Sequence, residues 1–166
     1  DILFKEIDGQ KLQLLFIPPK VRKYDKAPLI IYTHGGGWSA HDRYYIAKAD
    51  SIQAVHKLSA SGIACASLEY RLTGRGAKAP TTAIDCVTDC KDGVRFLVQN
   101  AARFGLDPDR LGTWGGSAGG HLCLMTALAP NDLFPGDPGL KDIHPKFRCT
   151  VPYYPATTFE KIDLLK

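Results

Sequence analysis

Residues 2–7 and 12–17 alternate apolar and polar side chains, the period-two pattern of strands with one buried face. Asp8-Gly9-Gln10-Lys11 supplies a turn between them, and Pro18-Pro19 ends the second, so an antiparallel pair is expected. The pattern then changes. Leu29-Ile30-Ile31-Tyr32 is continuously apolar, as in a strand covered on both faces. Residues 46–60 read as a helix closed by Ser61-Gly62, and residues 63–68 as a second buried strand. After a loop over 73–79, Pro80 suits the first turn of a helix reaching about Arg103. Ile84, Val87, Val94, Leu97 and Val98 form its inward face, and Gly105 stops it. Residues 110–114 read as a strand, 118–128 as a helix, 129–146 as a loop rich in Pro, Gly and Asp, and 147–154 as a last strand. This alternation predicts one α/β domain over residues 1–166: a mostly parallel sheet with helices on both faces.

Two glycine-rich segments stand at predicted strand ends, where α/β proteins place their chemistry. Gly115-Gly116-Ser117-Ala118-Gly119-Gly120 follows the 110–114 strand and opens a helix. A G-x-S-x-G pattern in that position lifts a serine hydroxyl out of a sharp strand-to-helix turn, beside the positive end of the helix dipole. Ser117 is the candidate nucleophile. His34-Gly35-Gly36-Gly37-Trp38 follows the 29–32 strand and offers backbone N–H groups that no side chain obstructs. Gly36, Gly37 and Ala118 are the candidate donors to the oxygen of a tetrahedral intermediate. Losing one such donor typically costs about 2.7–4 kcal/mol of transition-state stabilisation. His34 and Gly35 are expected to brace the loop, while Trp38, Tyr44 and Tyr45 are candidates for lining a hydrophobic ester pocket or for packing beneath the loop.

Together, in this order, the two motifs resemble the α/β-hydrolase family. Within it they are similar to the carboxylesterases and lipases related to hormone-sensitive lipase and to bacterial feruloyl or acetyl esterases. Glu69-Tyr70-Arg71-Leu72 and Phe104-Gly105-Leu106-Asp107-Pro108-Asp109-Arg110 resemble further segments of that branch. The resemblance implies attack of Ser117 on a small-molecule carboxylic ester, an acyl-enzyme, and no cofactor or metal. It also implies an acid and a histidine placed after later strands, yet only residues 118–166 follow Ser117. The expectation is therefore a fold truncated after about its sixth strand, with the triad acid and histidine not found in this chain. Such a segment is expected to be inactive by itself and to need its missing C-terminal part, or a covering chain, over the apolar edge of the 147–154 strand. A related peptidase or amidase, a non-catalytic ester-binding relative and a structural half of a split protein are the alternatives.

The other histidines do not fill the gap. His121 is carried along the same helix as Ser117 rather than facing it across a cleft; His144 and His41 read as loop residues and His56 as helix surface. Asp85 and Arg71 are read as a structural ion pair. Of five cysteines, Cys65, Cys123 and Cys149 read as small core residues. Cys86 and Cys90 lie one helical turn apart without the further ligands that a metal site needs. The net charge of +4, from 21 basic and 17 acidic residues, is spread along the chain, which argues against nucleic acid as a partner. The basic cluster at 20–26 reads as a solvated loop. No apolar run reaches the ~18 residues of a transmembrane helix. The chain starts at Asp1 with no visible signal peptide, which leaves localisation open.

Overall fold

The computed structural model describes residues 1–74 and 81–158. Six strands form one sheet in the order β1-β2-β4-β3-β5-β6. They are β1 (Ile2–Ile7), β2 (Gln10–Ile17), β3 (Ala27–Thr33), β4 (Ala64–Leu68), β5 (Leu106–Gly116) and β6 (Phe147–Tyr153). β1, β2 and β4 pair antiparallel, while β4, β3, β5 and β6 run parallel. The β1–β2 hairpin closes through Asp8 at φ 49° and Gly9 at φ 73°, the left-handed pair that matches strand twist.

Side-chain alternation divides the sheet into two cores. Leu14, Leu29, Ile31, Ala66 and Leu68 face one side, with α2 (Ala83–Gln99) and α4 (Ala118–Leu128) supplying Val94, Leu97 and Leu122. Tyr32 and Cys65 face the other, under Ile46 and Val55 of the segment leading through α1 (Ala49–Ala60). The sheet is thus covered on both faces, as the alternating pattern predicts.

Several expectations need correction. The helix expected over 46–60 is a 3-10 turn, Arg43–Ala47, followed by α1, with extended backbone at Lys48 between them. The helix expected to reach Arg103 breaks at Asn100, leaving the short α3 (Ala101–Phe104), which Gly105 ends at φ 65°. Its start is set by Thr82, whose hydroxyl and the Asp85 carboxylate cap one another's backbone N–H groups; Pro80 lies outside the described residues. Ile84 is 65% exposed rather than inward. Val87, Val94 and Leu97 are buried as expected, and the arc of α2 that meets the sheet also takes in Cys86, Cys90 and Gly93, where an added Cβ would come within 2.9 Å of Leu68. Cys149 is exposed, because β6 is an edge strand among the described residues.

α2 also buries charge. The Asp89 carboxylate accepts from Lys5 Nζ at 2.7 Å and from the Arg71 backbone N, Nε and Nη2 at 3.1, 2.8 and 3.1 Å. Asp92 takes Lys5 Nζ at 2.7 Å and Arg95 Nη1 at 3.0 Å. Burial pulls the Lys5 ammonium down, but the two carboxylates more than reverse it and leave its pKa raised. Arg71 does meet Asp85, at 3.3 Å, although its closer partner is Asp89.

Candidate active site

β5 passes into α4 through Ser117, whose backbone has φ 55° and ψ −124°. A side-chain residue rarely adopts this conformation, which costs of order 1–3 kcal/mol and persists only where the surroundings enforce it. The enforcing contacts are close. The Ser117 N–H donates to the Tyr153 carbonyl at 3.0 Å, and the Thr33 hydroxyl donates to the Gly119 carbonyl at 2.8 Å. At Gly119 an added Cβ would overlap the Thr33 carbonyl oxygen, so only glycine lets α4 press against the end of β3. The result is an exposed Ser117 flanked by buried residues 118–120.

The glycine loop over 34–38 abuts this turn. A Cβ on Gly35 would lie 2.8 Å from the Gly116 carbonyl oxygen and 3.6 Å from Ser117 Cβ. Gly36, at φ 108°, turns the chain where a Cβ would meet the Ala40 carbonyl at 2.6 Å. Gly37 follows at φ 58°. His34 is fully buried; burial pushes its imidazole down to about 4, so it is neutral at neutral pH. Its Nδ1 lies 2.9 Å from the Gly35 carbonyl oxygen. Ala118 is the first residue of α4, where N–H groups have no partner within the helix.

A cavity of about 490 Å³ opens beside Ser117. Tyr32, Gly35, Gly36, Tyr45, Trp114, Tyr153 and Tyr154 line it, with Lys48, Asp50 and Ser51 at its polar part. Of the three aromatic residues proposed from sequence as pocket lining, only Tyr45 reaches it. Trp38 packs on the α2 side of the sheet with its ring edge-on to His121, centroids 5.4 Å apart. Tyr44 is 45% exposed, and its hydroxyl bonds the Asp1 carboxylate. Tyr32 and Trp114, strand residues in the sequence pattern, reach the cavity because they occupy adjacent register positions on β3 and β5. Their alternation within the strands was the available signal.

The other histidines have partners of their own among the described residues or lie on the surface. His121 donates its backbone N–H to the Ser117 carbonyl at 3.0 Å, while its ring borders a separate apolar hollow with Met125 and Phe134. His144 bonds Asn131 at 3.2 Å on the surface, and His41 stacks on Tyr45. His56 is exposed on α1. Among the described residues no imidazole is hydrogen-bonded to the Ser117 hydroxyl, and no cluster of His, Cys, Asp or Glu is arranged to hold a metal ion.

Comparison with known proteins points to ester hydrolases. Carboxylesterase NlhH of Mycobacterium tuberculosis is 33% identical over 120 residues, covering 72% of this chain and 34% of NlhH. The probable carboxylic ester hydrolase LipM of the same organism is 28% identical over 138 residues, 82% of this chain and 30% of LipM. The thermophilic esterase Est2 of Thermogutta terrifontis, solved with butyrate bound, superposes with a TM-score of 0.77 at 27% identity, covering 92% of this chain and 52% of Est2. Est2 has also been solved phosphoramylated by tabun, with a TM-score of 0.73 at 26% identity over 92% of this chain and 55% of that one. The chain thus spans about a third of these curated relatives and half of Est2. The BD-FAE family model matches residues 15–164, nearly the whole sequence, and with the six-stranded sheet and the glycine-flanked Ser117 turn this establishes that the chain belongs to the BD-FAE family of α/β-hydrolase esterases.

Proposed function

We propose that this chain carries the nucleophile and the oxyanion donors of a serine hydrolase acting on small carboxylic esters. The observation that carries the reading is the left-handed backbone of the exposed Ser117, with the Gly35 backbone packed directly against it. The Ser117 hydroxyl attacks the ester carbonyl carbon while its proton passes to a histidine base. Charge then develops on the carbonyl oxygen, and the N–H groups of Gly36, Gly37 and Ala118 stabilise it. Collapse expels the alcohol, protonated by the same histidine, and leaves an acyl group on Ser117 Oγ. Water activated by that base releases the acid. The relatives extend well past the matched portion, and the base and its orienting acid are assigned to that further length. The 490 Å³ cavity accommodates the ester on its aromatic walls.

The test is Ser117→Ala in the full-length gene product. Turnover of short-chain p-nitrophenyl esters is expected to fall by at least ~10⁴-fold with the thermal midpoint close to that of the parent. Turnover retained within a few-fold would remove Ser117 from the reaction.

A further inference from the structure

Gly35, Gly36 and Gly37 have no side chains with which to fix their own peptides, and two of them lie at positive φ. Something else must hold the loop in one orientation. Building on the ester-hydrolase reading, we propose that Tyr70 is a positioning residue for the oxyanion loop, gripping His34 and through it the peptide that carries the Gly36 N–H.

Tyr70 lies two residues beyond β4 and is 2% exposed. Its ring stacks on the His34 imidazole with centroids 4.2 Å apart and planes 15° from parallel. Its hydroxyl donates to the His34 carbonyl oxygen at 2.8 Å and lies 3.1 Å from His34 Nδ1. The Gly35 carbonyl, 2.9 Å from that same Nδ1, only accepts, so Nδ1 carries the ring proton and shares it with the Tyr70 oxygen. One hydroxyl therefore holds the 34 carbonyl directly and the 35 carbonyl through the imidazole. A trans peptide is planar, with its N–H opposite its C=O. Holding the carbonyls of residues 34 and 35 fixes the directions of the Gly35 and Gly36 N–H groups, and the Gly36 N–H points away from the imidazole. Burial keeps the Tyr70 phenol protonated and His34 neutral, which preserves this donor pattern at neutral pH. The next residue anchors the grip: Arg71 bonds the buried Asp89 carboxylate through both backbone and guanidinium.

The experiment uses Tyr70→Phe in the full-length gene product, which keeps the stacked ring and removes the hydroxyl, beside the parent and Ser117→Ala. A trifluoromethyl ketone is the probe, because its adduct on the serine places an oxyanion on the same donors. For Tyr70→Phe the expected result is a kcat lower by about tenfold, equivalent to about 1.4 kcal/mol of transition-state stabilisation. Ketone affinity should fall in parallel, with KM within about twofold and an unchanged thermal midpoint. The ring ¹⁵N and Nδ1–H resonances of His34 should shift. Parent-level kcat and ketone affinity in Tyr70→Phe would overturn the proposal, as would a loss that tracks only KM and stability. If the parent and Ser117→Ala bind the ketone alike, the ester-hydrolase reading fails instead; His34 resonances unmoved by Tyr70→Phe would then overturn the grip itself.

Discussion

Ser117 and His34 illustrate opposite ways of building a site from single residues. Ser117 is exposed and held in a costly backbone conformation by its neighbours, whereas His34 is fully buried and excluded from water. Burial, only partly offset by the bond to Gly35, lowers the His34 pKa from an ordinary 6.5 to about 4. The unfolded chain therefore binds a proton that the folded chain refuses between those values, and stability falls as pH drops through that window. The full difference is about 3 kcal/mol, reached below pH 4. His121, lowered by its own burial, acts in the same direction. Urea titrations of the full-length gene product from pH 7 to pH 4 are expected to show this decline, and His34→Gln should flatten it. An equal slope in that variant would contradict the assignment.

Among the elements, α2 shows most clearly what a hydrophobic pattern conveys and what it omits. The strands, the Ser117 turn and α4 were legible because a switch between two periods and glycines at fixed places mark them. The burial of Asp89, Asp92, Lys91 and Arg95 was not, because charged residues read as solvated until partners from distant elements are known. Lys5 arrives from β1 and Arg71 from beyond β4, while Lys91 reaches the carbonyls of Thr126 and Ala129 at 3.2 and 2.8 Å, at the end of α4. The segment Glu69-Tyr70-Arg71-Leu72 carries the family resemblance, but the contact of Tyr70 with His34, 36 residues away, has no local signal. Asp89→Ala would leave Arg71 and Lys5 buried with fewer partners, and a loss of roughly 3–5 kcal/mol in unfolding free energy is expected. A loss below about 1 kcal/mol would show that the network contributes little.

At the scale of the molecule, the strand order places the site off centre. β3 and β5 are adjacent, so the loop after one and the turn after the other meet, but among the described residues β5 has only β6 beyond it. Val151 and Tyr153 of that edge are 43% and 53% exposed, and Tyr153 also lines the cavity that contains Ser117. We propose that this edge receives the further length seen in the relatives, bringing the histidine base toward Ser117 from the side that the described residues leave open. On this proposal the strained serine and the donors lie in this chain, and the base and acid in the further length. Intact-mass analysis after exposure of the full-length gene product to a fluorophosphonate tests this account most directly. One covalent adduct, mapped to Ser117 and absent from Ser117→Ala, is the predicted result; no adduct, or an adduct on a different residue, would contradict it.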